Sequence, residues 1–159
     1  MSRLVFDGNY EVYFVPGGIS DPSAPSLAAM LAGTDLTAFI PKDGFNPGVT
    51  NNRVSGGALD DTFMDESMGT WSSQLQITCY KDTASGGGAA FETIGVHGTT
   101  GAIVVVPYGP AAVGKDAYVW GDVECGEPVP AATAENKRQT FTADLAVRKR
   151  PDMHAAVAA

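Results

Sequence analysis

The sequence is poor in the residues that carry out chemistry. It holds two histidines and two cysteines in 159 residues, and neither Cys79 nor Cys125 has a His or a second Cys at a metal-ligand spacing. Nucleophile elbows, HExxH pairs, Walker A loops and CxxC motifs are all missing. Both cysteines fall in strand-like runs and read as small buried hydrophobes of a reducing compartment rather than as a disulfide. His97 lies in a Gly/Thr turn and His154 near the C-terminus, so a histidine acid/base centre would rest on one of them alone. Gly86-Gly87-Gly88 lacks the Lys and Ser/Thr of a phosphate cradle and reads as a turn. No catalytic constellation, metal or cofactor is implied.

Charge is also scarce. Charged residues make up 18% of the chain, below the roughly 25% usual in soluble domains, which suggests that part of the surface is not meant for water. Bases are fewer still, 10 against 18 acids for a net charge of -8. That balance argues against a protein that clamps phosphate or reads bases. It does not argue against a wall that nucleic acid must pass without sticking. The longest apolar run, 102–106, is far short of a membrane span, and Met1-Ser2-Arg3 shows no secretory pattern. The expectation is a soluble chain made in the cytoplasm, with no membrane partner.

The charges present are unevenly placed. Residues 1–116 carry 12 acids and 5 bases, and residues 117–159 carry 6 acids and 5 bases. Asp60, Asp61, Asp65 and Glu66 form one cluster, while Lys137 with Arg138 and Arg148-Lys149-Arg150 form two basic ones. The acidic cluster lacks the alternate-position acids and central Gly of a calcium loop, so solvated charge is the plain reading. The sharper one is that acidic and basic patches pair between copies of the same chain.

Strand-period alternation dominates what remains. In 117–125, Tyr118, Trp120, Asp122 and Glu124 alternate with Val119, Gly121, Val123 and Cys125. In 140–147, Phe141, Ala143, Leu145 and Val147 alternate with Thr140, Thr142, Asp144 and Ala146. Each ribbon has an apolar face for a core and a polar, partly acidic one, where function is to be sought. Strands are also predicted at 10–15, 34–40, 71–80 and 103–106, the last apolar enough to be buried on both sides. A helix is predicted over 27–32, with Pro25 in its first turn, Ser23 or Ser26 as cap and Gly33 as a left-handed terminator. One or two helical turns are predicted in 89–95. Residues 41–69 show no steady period. They read as a long irregular loop, or as an extended arm or hairpin reaching another subunit, carrying Asn46, Asn51, Asn52 and Arg53. About seven strands and one or two short helices predict a mainly β fold, an antiparallel β-sandwich or barrel in a single domain over 1–159, with the 41–69 arm and a C-terminal extension at 148–159.

The segment Pro25-Ser26-Leu27-Ala28-Ala29-Met30-Leu31-Ala32-Gly33-Thr34-Asp35-Leu36-Thr37 resembles the early helix and Ala-Gly-Thr-Asp turn of the major tail (tail tube) proteins of long, flexible-tailed bacteriophages that infect actinobacteria. The segments 124–128, Glu135 to Phe141 and Arg150 to Val157 are similar to the end of those proteins. Met30-Leu31 departs from the more polar helix end expected, and the immunoglobulin-like domain that some tail tubes carry is not in this sequence. The resemblance implies a structural virion protein, not an enzyme. It implies a β-sandwich with a short helix, assembled in six-fold rings stacked into a tube through which genomic DNA leaves. Partners would then be the chain itself, the tape measure, tail terminator and distal tail proteins, and viral DNA passing without sequence-specific binding. On that reading Asp122, Glu124, Asp144, Thr140 and Thr142 are candidates for the lumen wall. Asn46, Asn51, Asn52, Arg53, Asp60, Asp61, Arg148, Lys149 and Arg150 are candidates for contacts between subunits. A monomeric sandwich that decorates a capsid or recognises carbohydrate through 41–69 is the alternative, and a metal enzyme built on the acidic cluster is a weaker third.

Overall fold

A computed structural model describes residues 8–60, 62, 63 and 65–159, the side chain of Ser85 excepted. The order of elements is β1 (Glu11–Pro16), α1 (Leu27–Ala32), β2 (Thr34–Asp35), a 3-10 turn (Thr37–Phe39), β3 (Phe45–Gly56), β4 (Asp65–Tyr80), a second 3-10 turn (Ser85–Gly87), α2 (Ala89–Ile94), β5 (Thr100–Val106), β6 (Asp116–Cys125), β7 (Val129–Pro130), β8 (Thr140–Val147) and β9 (Asp152–Ala156). All strand pairings are antiparallel, in the order β2-β1-β5-β6-β8-β4-β3, with β7 added to β8 and β9 to β6.

One face of this sheet lines a single core from end to end: Val12 and Phe14 of β1, Ile103 and Val105 of β5, Trp120 of β6, Phe141 and Leu145 of β8, and Leu75 and Ile77 of β4. The sheet is therefore curled, so that Phe45 of β3 stacks edge-on against Trp120 at 5.7 Å and meets Tyr10, just before β1, at 6.2 Å. The Trp120 indole N–H donates to Ser73 Oγ at 3.3 Å, which gives its one polar atom a partner. α2 covers this core with Ala90 and Ile94, and its Phe91 stands edge-on to Phe141 at 5.0 Å.

The outer face of β1, β5 and β6 carries a second core of Tyr13, Val15, Val104, Val106 and Val119, covered by Met30 of α1 and by Ala155 and Val157 of the C-terminal segment. Residues 102–106 of β5 thus lie between two apolar layers, as their composition predicts. The 148–159 extension is not an appendage: β9 pairs with β6, and the Leu27 and Ala158 amides donate to the carbonyls of Ala158 and Pro25.

Four local expectations are corrected. Of the two readings of 41–69 the irregular loop is set aside and the hairpin is found, since β3 and β4 pair over Phe45–Gly56 and Asp65–Tyr80. The strand predicted at 34–40 stops after two residues, because Asp35 Oδ1 accepts the Thr37 amide and Thr37 Oγ1 accepts the Val12 amide, turning the chain into a 3-10 turn. Ser26 is the N-cap residue of α1 but makes no side-chain cap, and Gly33 has φ -78°, outside the left-handed region. Gly33 is needed for space, as a Cβ there would collide with the Phe14 carbonyl oxygen. Finally, the alternation in β6 is broken. Gly101 and Ile103 of β5 face Val123 and Trp120, so Gly121 and Asp122 of β6 stand opposite the single Ala102 of β5 as a bulge. Tyr118 and Trp120 face the first core before it, Val123 and Cys125 after it, and Asp122 and Glu124 are turned to the other side.

Candidate functional site

Register fixes the polar face. Cys125, Leu145 and Leu75 lie in one buried row across β6, β8 and β4, which puts the next row, Glu124, Ala146 and Gln74, on the opposite side. The same face continues with Asp144 opposite Gln76, Thr142 opposite Thr78 and Thr140 opposite Tyr80. The Thr78 and Thr142 hydroxyls are 2.9 Å apart. All five residues proposed from sequence for this face, Asp122, Glu124, Asp144, Thr140 and Thr142, therefore share it. Asn46 of β3, opposite Gln76, joins them, with its side-chain N–H donating to the Asp43 carbonyl.

A trough of about 990 Å³ runs along this face between Gln74, Gln76, Glu124, Glu127, Asp144 and the loop bearing His97. Its carboxylates are not alone. The Arg148 guanidinium, half exposed, stands 3.9 Å from Asp122 and 3.7 Å from Glu124. Ion pairs this long at a wet surface contribute at most about 1 kcal/mol. They do offset much of the local negative field. Sequence reasoning missed this, grouping Arg148 with the contact residues because its place beside Asp122 depends on the β6 bulge and on the Arg148 amide donating to the Asp122 carbonyl.

The second feature is the hairpin. β4 pairs with β8 only over Gln74–Tyr80, so Val49–Gly56 and Asp65–Ser73 pair as strands only with each other and project past the sheet as an arm. Among the described residues the outer edge of β3 has no strand partner. Val49, Val54, Met68 and Trp71 are exposed along the arm, and Leu59 and Phe63 are exposed in its turn. Arg53 pairs with Glu66 at 2.8 Å, the Asn52 side-chain N–H donates to Thr70 Oγ1 at 3.0 Å, and Asn51 lies opposite Trp71. Asp60 is exposed at the tip; Asp61 lies outside the described residues. At the arm's root the Arg150 guanidinium rests 5.6 Å from the centre of the Trp71 ring, with Arg148 and Lys149 alongside.

Chemically reactive groups are quiet. Burial pushes the Cys79 thiol up to about 12, and burial with the nearby Glu124 charge pushes Cys125 up to about 11, so neither is a thiolate at neutral pH. No three His, Cys, Asp or Glu side chains converge to hold a metal among the described residues. The arrangement offers a polar wall and an adhesive arm.

A family model described as phage tail tube protein matches residues 1–159. Among solved structures, the chain is similar to one from the baseplate of the anti-feeding prophage, 6-fold symmetrised, with TM-score 0.61 and 11% identity over 98% of both chains. It is equally similar to a chain from the sheath/tube terminator of an extracellular contractile injection system (PVC) in the extended state. There the TM-score is 0.62 and the identity 11%, over 98% of this chain and 99% of that one. At such identity these two likenesses concern the fold. No curated protein matches the chain.

Proposed function

Because the chain belongs to the phage tail tube protein family, we propose that it is a virion structural protein whose copies close into rings, six to a ring, that stack into the tail tube and conduct genomic DNA into the host. It performs no catalysis. It is made in the bacterial cytoplasm and ends in the tail, where it meets the tape measure, tail terminator and distal tail proteins at the ends or in the bore of the tube.

The observation that carries this reading is the mismatch between the arm and water. A 12-residue edge strand and a hairpin displaying Val49, Val54, Met68, Leu59 and Phe63 have no covering surface in their own chain among the described residues. Unpaired edges and apolar patches of this kind invite pairing without limit, and ring closure converts that tendency into a finite assembly. The face carrying Thr140, Thr142, Asp144, Glu124 and Asp122 then turns to the bore. Four carboxylates, Asp122, Glu124, Glu127 and Asp144, against one Arg148 guanidinium leave it net negative, so it repels phosphate, and within a screening length of roughly 8 Å the DNA finds no sticking point.

Purified protein imaged by negative stain at rising concentration tests the assembly. Rings or tubes are expected. A compact solitary particle at high concentration overturns the reading and favours a monomeric binding module.

A further inference from the structure

Copies of a ring-forming chain must recognise one another through named surfaces, and two features at opposite ends of the arm match. The tip is acidic and apolar. Between Gly56 and Met68 the sequence has four carboxylates and no base; Glu66 is engaged by Arg53, while Asp60 and Asp65 are exposed beside exposed Leu59 and Phe63. The root is basic and apolar. A groove of about 320 Å³ there is lined by Trp71, Val147, Arg148, Lys149, Arg150 and Pro151, with two serines and no carboxylate. Two other grooves suit the tip less well. The trough on the polar face has three carboxylates in its lining, and the groove at the far end of β4 sets Asp43 beside Lys137 and Arg138.

Resting on the tube reading above, we infer that the tip of the arm of one copy, through Asp60, Asp65, Leu59 and Phe63, docks in the root groove of a second copy, on Lys149, Arg150 and Trp71. Within one copy this match is out of reach. Six residues of ladder separate Asp65 from Trp71, roughly 20 Å at the rise of a strand, and the paired hairpin cannot fold back over that distance. The complementarity therefore acts only between copies. Being tip-to-root rather than self-complementary, it is heterologous, and a docked pair still presents one free tip and one free root to its neighbours. Arg150 suits the role because a guanidinium held over the Trp71 ring keeps N–H donors for a carboxylate.

Charge reversal of the full-length chain tests this. Asp60→Lys with Asp65→Lys, and separately Lys149→Glu, are expected to raise the concentration needed for assembly about tenfold or more, with melting temperatures unchanged because all three side chains are exposed. The chain carrying all three changes is expected to recover most of that loss. A second measurement mixes Asp60→Cys and Lys149→Cys chains with a short bis-maleimide, the native thiols being buried, and mixed dimers are expected. If wild-type protein forms tubes while the reversals assemble equally well, or if no mixed dimers form, the docking is overturned and the tube reading stands. If the triple variant stays defective while folded, the pairing is likewise wrong. A wild-type chain that never assembles overturns both.

Discussion

At the scale of single residues, burial fixes chemistry. Cys79 and Cys125 sit in the row of core positions that also holds Ile77 and Leu145, and their thiols are held protonated by the loss of solvation. Since the unfolded thiol titrates near 9.0, the folded state keeps its protons longer. Their contribution to stability is whole below pH 9 and is lost as pH rises toward 11 and 12. Urea unfolding followed from pH 8 to 11 should show a midpoint that falls above pH 9, and Cys79→Ala with Cys125→Ala should flatten that fall. Alkylation of the wild-type thiols at pH 8 should proceed only as fast as the protein opens. That both cysteines are core residues was legible in the sequence, because Cys79 sits in phase with Leu75 and Ile77, and Cys125 with Val123. The work of Gly33 was not legible. A helix-ending glycine looks the same whether it answers a positive φ or, as here, a carbonyl from another strand.

At the scale of elements, legibility followed the presence of a core face. β1, β5, β8, the Trp71–Tyr80 half of β4 and both helices each bury a row of apolar side chains, and that row is the periodic signal. The arm buries none in its own chain, so its sequence shows no alternation and reads as irregular although it is the longest ladder in the fold. β7 and β9 were missed because two to five residues give a period no room to show, and β2 was predicted but drawn too long. The bulge in β6 misled more subtly, for one extra residue sends Asp122 and Glu124 to the face opposite Trp120. The arm's independence from the body can be measured. Replacing residues 50–72 by Asn-Gly joins the cross-strand pair Val49 and Ser73 through a two-residue turn. The shortened chain should fold cooperatively, losing about 1 kcal/mol with the Arg150–Trp71 contact, and should remain monomeric by sedimentation at concentrations where the full chain forms tubes.

At the scale of the whole molecule, the acidic face is tested by its effect on transport rather than on folding. Neutralising Asp122, Glu124 and Asp144 together, as Asn, Gln and Asn, leaves Glu127 against Arg148, so the wall loses its net negative charge. Tubes should still form, since none of these side chains belongs to a core, but DNA release should slow several-fold in an ejection assay at low salt and recover as salt screens the wall. Unchanged release from intact tubes would remove electrostatics from the account of passage. The fold class and the membership of these residues in one face were accessible from alternation and resemblance. Which acids are shielded was not, because shielding by Arg148 depends on the loop after β8 returning beside β6.

The place of α1 in the fold has one more outcome. Because α1 packs against β1 and β2, at the other end of the strand order from β8 and β4, the solvent-exposed Leu31 of α1 stands apart from any bore that the polar face encloses. An epitope grafted there would be repeated along the exterior of every particle at the spacing of the subunits, turning the filament into a graduated ruler for antibodies or gold while leaving its channel unobstructed.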